Sequence, residues 1–215
     1  MNPDRRARKQ ARHRIEILEA AARAFASKGL DATTVQDIAA EAGYGAATLY
    51  SYFTGKQEIV DGLLEHLAHE MLATFEVPAP SGTAFRQRLE HLVRTQLSLA
   101  DRRRGELAVF LVASQTMAVS RTRHERARAG FLSFAARMTS WVKANAAPGD
   151  LRGCPVETAA LFILSALHMS FIRWAIEQSS APLAASARTI VQLLLHGLSG
   201  PPTTEPIPSL PRSTS

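Results

Sequence analysis

At 215 residues, 46% hydrophobic and 20% charged, the chain suits one sizeable globular domain or one large domain with a small appendage. Its formal net charge of +6 favours a polyanionic partner. One cysteine, Cys154, excludes an intramolecular disulfide framework and fits a reducing compartment, and the charged start "MNPDRRARKQARHR" has no apolar stretch behind it to make a secretory signal.

Residues 1–14 form a basic N-terminal arm, with Arg5, Arg6, Arg8, Lys9, Arg12 and Arg14 against the single acid Asp4. It reads either as a solvated, disordered tail or as an arm that lies on phosphates. From Ile15 the spacing turns helical: Ile15, Leu18, Ala22 and Phe25 share one face, and Lys28-Gly29 closes the helix. Thr33 or Thr34 caps a second helix, with Asp37 three residues after Thr34 and an inner face of Val35, Ile38, Ala39 and Ala42. Gly43 ends it. A short third helix runs from about Gly45 to Tyr52, broken by "FTGK", and a fourth starts near Lys56.

Five further helices are expected, over 84–100, 103–119, 122–145, 155–178 and 182–197, with Pro155 and Pro182 at helix starts where a missing N–H costs nothing. The apolar run "TAALFILSALHMSFI" (158–172) is shorter than the ~18 residues a bilayer span needs, so it reads as a helix buried in protein. Residues 199–215 are a Pro/Ser-rich, disordered tail. The fold class is all-α.

Residues 34–53 have the spacing of a helix-turn-helix: Ala39 for the close crossing, Gly43 for the turn, and Ile38, Ala42 and Leu49 as the lock, with Phe25 and Phe53 behind. In "AGYGAATLYSYF" the third helix opens on Gly45, Ala46 and Ala47. Such small side chains let a backbone approach base edges in a major groove about 12 Å wide. Thr48, Tyr44 and Gln36 are candidate base readers. Tyr50, Tyr52 and Thr34 have hydroxyls suited to phosphate oxygens, and Lys56 heads a helix whose amides also attract phosphate.

"TTVQDIAAEAGYGAATLYSYFTGKQEIV", preceded by "ILEAAARAFASKGL", resembles the DNA-binding segment of the TetR family of helix-turn-helix transcription regulators. The likeness covers roughly residues 13–70. Two positions depart from the family pattern: Tyr44 stands where a small aliphatic residue is usual, and Gly45 where Ser is common. The operator preference is thereby left open.

The resemblance implies an N-terminal three-helix DNA-binding domain (15–56), followed by a larger helical ligand-binding and dimerisation domain (57–198). It also implies that the last two long helices form a dimer interface. Their composition agrees, since residues 156–176 are apolar all round. Leu161, Leu164, Leu167, Phe171, Trp174, Ile190 and Leu194 are the candidate interface residues. Phe110, Met117, Phe134, Met138, Trp141, Phe162, His168 and Met169 are candidates for an effector pocket, although aromatic and Met stripes are more often plain core.

The expected function is a ligand-responsive repressor that binds a palindromic operator as a homodimer. Its partners are double-stranded DNA with two-fold symmetry, a second copy of itself, and a small apolar or aromatic effector. The chain is expected to be cytoplasmic, with no membrane partner, cofactor, metal or catalytic residue. The alternative is an all-α small-molecule-binding or enzymatic domain with a vestigial helix-turn-helix, using His168 or Glu157 as acid/base. The sequence offers it no Ser/His/Asp spacing, metal cluster or phosphate loop.

Overall fold

The computed structural model describes residues 3–116, 121–177 and 180–197, and the regular elements among them are all helical, with no strand. The helices are α1 (Pro3–Lys28), α2 (Val35–Ala42), α3 (Ala46–Tyr50), α4 (Lys56–Ala73), α5 (Phe85–Arg102), α6 (Arg104–Thr116), α7 (Arg121–Asn145), α8 (Val156–Glu177) and α9 (Ala187–His196). A 3₁₀ turn, Thr74–Glu76, follows α4, and another, Leu183–Ser186, precedes α9. The tail from 198 and Met117 lie outside the described residues.

Two compact units emerge. The first holds α1–α3, α4 through His69, and α6. The second holds the end of α4 from Glu70, with α5, α7, α8 and α9. The sequence reading places residues 57–198 in a regulatory domain; the structure groups most of α4 and all of α6 with α1. Gly105 allows this for α6, because a Cβ there would stand 3.0 Å from the Ala22 carbonyl oxygen. Val109 then enters the core of the first unit, beside Ile17, Phe25, Ile38, Leu49, Phe53 and Leu63.

A second correction concerns the N-terminus. The helix expected from Ile15 begins at Pro3, so the basic segment is the first half of α1 rather than a separate arm. Arg, Lys, Gln and Ala are strong helix formers, and Pro suits a first helical position. Residues 5–12 are all exposed, which keeps their charges in water.

In the second unit, α7 packs along α8, and α5 packs against α9 and the turn before it. The Asp101 carboxylate accepts the backbone N–H groups of Leu183 (2.8 Å) and Ala184 (3.0 Å), satisfying donors at the start of that turn. On α8, Ile163, Leu164, Leu167, Phe171 and Trp174 are buried. The opposite face is open. Leu161, Ser165, His168 or Met169, Ile172 and Ile176 follow one another at helical spacing there, and Leu161, Met169 and Ile176 are exposed. By length and composition alone, Val156–Trp174 could cross a bilayer; its buried stripe nonetheless belongs to the packing of the second unit.

Candidate nucleic-acid interface

The start of α2 is set by Thr34. Its backbone is extended, its Oγ1 accepts the Asp37 N–H at 3.1 Å, and its own N–H donates to Asp37 Oδ2 at 2.9 Å. This reciprocal box satisfies donors that a helix start otherwise leaves unpaired. Lys28, in the last turn of α1, donates to Asp37 Oδ1 at 2.6 Å. The lysine first, and then the Thr34 hydroxyl and N–H, hold the Asp37 carboxyl well below the usual carboxylate range. Arg23 of α1 donates to Glu41 at 2.7 Å, so α2 is tied to α1 near both ends.

Gly43 takes the left-handed conformation (φ 70°) and turns the chain at the end of α2. Gly45 then caps α3 without a side chain, and a Cβ at that position would meet nothing. Leu49 is fully buried and anchors α3 onto Ile38 and Ala39. With that anchor, Gly45, Ala47, Thr48 and Tyr50 are exposed and Ala46 is half-buried. The start of α3 is therefore a bare, low-relief surface, with Gln36 exposed on α2. A surface of this kind can approach a groove floor without steric conflict.

Three of the residues expected to touch DNA take other roles. The Tyr44 hydroxyl donates to Glu16 Oε2 at 2.7 Å, and its ring packs beside His13 and on the core of the first unit. The Glu16 carboxylate, as acceptor, raises the Tyr44 pKa. The Tyr52 hydroxyl lies 3.0 Å from His13 Nδ1, and its carbonyl accepts from Arg14 Nη1 at 3.0 Å. Arg14 also stacks 4.2 Å over the Phe53 ring. Tyr44 and Tyr52 thus clasp the turn and the end of α3 to α1 rather than projecting toward a groove. The Thr34 hydroxyl is likewise committed to its cap. Lys56 Nζ donates to the Asp31 carbonyl at 3.0 Å, which leaves two of its three N–H donors for another acceptor.

Residues 17–63 match the family described as "Bacterial regulatory proteins, tetR family". The chain is 28% identical over 194 residues to the HTH-type transcriptional repressor KstR2 of Rhodococcus jostii, covering 87% of this chain and 92% of the relative. It is 42% identical over 72 residues to the regulator TtgR of Pseudomonas putida, covering 32% and 34% of the two chains. The fold matches the fatty acid degradation regulator FadR from Bacillus halodurans with a TM-score of 0.73 at 20% identity, over 88% of this chain and 97% of that one. Residues 17–63 are thus a TetR-family DNA-binding segment.

The chain is a DNA-binding transcription regulator, and its all-α fold with an N-terminal helix-turn-helix is that of the matched regulators. The residues expected to line its effector pocket fall in both units. Phe110 lies on α6 in the first unit, and Met117 is outside the described residues. Met138 is fully buried, Phe134 meets Phe75 edge to face, and Trp141 sits against Phe85, all in the second unit. Phe162, His168 and Met169 are exposed on the open face of α8.

The interface assignment needs the converse correction. Leu164, Leu167, Phe171 and Trp174 are buried within the unit and are not free to meet a second subunit. Leu161 is exposed, and Ile190 and Leu194 are half-buried. An all-round apolar helix has no polar side to show which stripe faces in. Packing against the rest of the unit, chiefly α7, decides it.

Proposed function

We propose that this regulator is a ligand-responsive repressor that binds a two-fold operator as a homodimer. The observation that carries the reading is the bare start of α3: Gly45, Ala46, Ala47 and Thr48 present a surface with no bulk, locked from behind by Leu49. Thr48 and Gln36 are the side chains placed to read base edges, with the Ala methyls available to thymine methyls. Tyr50 and Lys56 are the phosphate contacts. The KstR2 relative is named a repressor, which supports that sign of regulation here.

Homodimerisation follows from the limits of one helix. A single recognition helix covers too few base pairs for specificity against a genome, whereas two copies about 34 Å apart, or a multiple of that, double the readout. The open apolar face of α8, with Leu161, Phe162, Met169 and Ile176, and Leu193 of α9 supply the material for an isologous contact. The first unit is the DNA-binding part and the second the ligand-binding and dimerisation part. The protein acts in the cytoplasm, without membrane, cofactor or enzymatic chemistry.

A gel-shift with the DNA upstream of the chain's own coding sequence tests this. The expected result is a saturable complex of one dimer per site, competed by the same duplex and not by scrambled sequence. Replacing Thr48 by Asp should abolish the complex while leaving melting unchanged. No shift with the wild type, or an unaltered shift with that variant, refutes the reading.

A further inference from the structure

The charge of the first unit is unevenly placed. From residue 15 onward its segments, 15–69 and 103–119, carry five Lys/Arg against nine Asp/Glu, a net charge of −4. Residues 1–14 carry six against one, a net charge of +5. Without the first half of α1, the unit that holds the helix-turn-helix would therefore repel a polyanion. Its other cations are also engaged. Arg23 and Lys28 pair with Glu41 and Asp37, Arg103 pairs with Glu19 and Glu106, and Arg14 donates to the Tyr52 carbonyl. Among the described residues, by contrast, Arg5, Arg8 and Lys9 make no ion pair.

These charges form a pattern. Arg5, Arg8, Lys9 and Arg12 recur at i, i+3, i+4 and i+7, so they make one stripe, with Ala7, Gln10 and Ala11 opposite. Every residue from 5 to 12 is exposed. Arg5 with Lys9, and Arg8 with Arg12, are like charges at i and i+4, which weaken a helix. Only Arg12 has an acid beside it, Glu16 at 3.4 Å. A row of phosphates removes the repulsion for all four.

The stripe starts beside the recognition helix. His13 Nδ1 lies 3.0 Å from the Tyr52 hydroxyl just past α3, and Glu16 accepts from the Tyr44 hydroxyl just before it. From that clasp α1 runs back from Arg12 to Pro3, a stretch of about 15 Å at about 1.5 Å per residue. One strand of B-DNA carries a phosphate per about 3.4 Å of axis, so the stripe can span several. An α-helix about 10–12 Å across does not fit a minor groove about 6 Å wide, which leaves the phosphates as its contact.

We propose that the first half of α1 is a second DNA-contacting element, with Arg5, Arg8 and Lys9 on phosphates that flank the bases met by α3. It adds affinity without sequence preference. An anionic membrane surface is a poorer match, because Ala7, Gln10 and Ala11 offer no large apolar side chain to insert. The inference deepens the operator reading above, and it rests on that reading only in requiring that the first unit meets DNA.

The test compares the full chain with two variants on two duplexes, the upstream DNA named above and a scrambled sequence of the same composition. The first variant combines Arg5→Gln, Arg8→Gln and Lys9→Gln. The second adds Ala7→Lys, Gln10→Lys and Ala11→Lys, which restores the net charge on the opposite face. Gln and Lys are good helix formers and these positions are exposed, so both variants should melt as the wild type does. Three lost contacts at a log–log slope of about 0.9 each set the expected effect. As salt rises from about 50 to 200 mM, wild-type affinity for either duplex should fall about 40-fold more than that of the first variant, per bound protomer. The second variant should behave like the first.

Equal slopes for the wild type and the first variant overturn the proposal. So does a second variant that binds like the wild type, since net charge alone then explains the effect. A first variant weakened on the upstream DNA but not on the scrambled duplex overturns it too, because the stripe then reads bases. A wild type that binds both duplexes equally, yet keeps its steeper slope, defeats the operator reading and leaves the stripe standing.

Discussion

Replacing Phe162 with Glu should turn the protein into folded monomers. Phe162 is 65% exposed on the open face of α8. A Phe side chain that buries about 200 Å² in full leaves about 130 Å² available to a partner at that exposure. At about 25 cal/mol per Å² this is worth about 3 kcal/mol per protomer, and a two-fold interface counts it twice. The dissociation constant should therefore rise by about four powers of ten, before the repulsion between two facing carboxylates is added.

Sedimentation velocity across a concentration series reads this directly, with melting as the control for folding. Leu167→Glu makes the contrast. At 2% exposure it would place a carboxylate inside the unit, so it should give unfolded or insoluble protein instead of clean monomers. If Phe162→Glu sediments as the wild type does at every concentration, the open face of α8 is not the subunit contact. A monomeric wild type at micromolar concentration refutes it as well.

Asp37→Asn should lower the melting temperature at neutral pH. The native carboxyl is held below its unfolded value of 3.8, so the ionised form contributes above that value and loses its contribution as pH falls through the depressed native value. The gap between wild type and variant should stay constant down to about pH 5 and close only below about pH 4; a gap that closes near neutrality would refute the assignment. Gly105→Ala should lower the melting temperature, because overpacking against the Ala22 carbonyl at about 1–3 kcal/mol outweighs a helix-propensity gain of about 1 kcal/mol. A raised melting temperature would mean that α1 and α6 can part cheaply. Tyr44→Phe should weaken binding to every operator variant by one common factor, and a changed base preference in a binding selection would refute its role as a clasp. Converting Arg5, Arg6, Arg8 and Lys9 to Gln should flatten the log–log salt dependence of DNA affinity by about 0.9 for each phosphate that is no longer neutralised, without affecting melting; an unchanged slope would mean that the first half of α1 only faces solvent.

The helix-turn-helix was legible because its determinants are local. Thr34 and Asp37 form a box across one turn, Gly43 takes a conformation other residues avoid, and Ile38 and Ala39 on α2 share a core with Leu49 on α3, just past the turn. What the tyrosines do was not legible. Tyr44 and Tyr52 reach Glu16 and His13, residues 28 and 39 positions away, and nothing in their own neighbourhood discloses that. The start of α1 was missed because apolar periodicity is silent on a stretch that buries nothing, although Pro3 ahead of a run of helix formers was a usable signal. The orientation of α8 was illegible for the opposite reason, an excess of apolar residues on every side.

The clasp between α1 and the recognition helix sets terms for anyone who wishes to retarget this regulator to another DNA sequence. A randomised library that includes positions 44 and 52 would spend most of its members on proteins whose helix-turn-helix sits at an altered angle, because those hydroxyls brace it against Glu16 and His13. Diversity confined to Gln36, Ala46, Ala47 and Thr48, the proposed base-facing positions, leaves the brace intact. Residues 13, 16, 44 and 52 then behave as one transplantable unit, to be moved together or left together when this domain is grafted onto another effector-binding half.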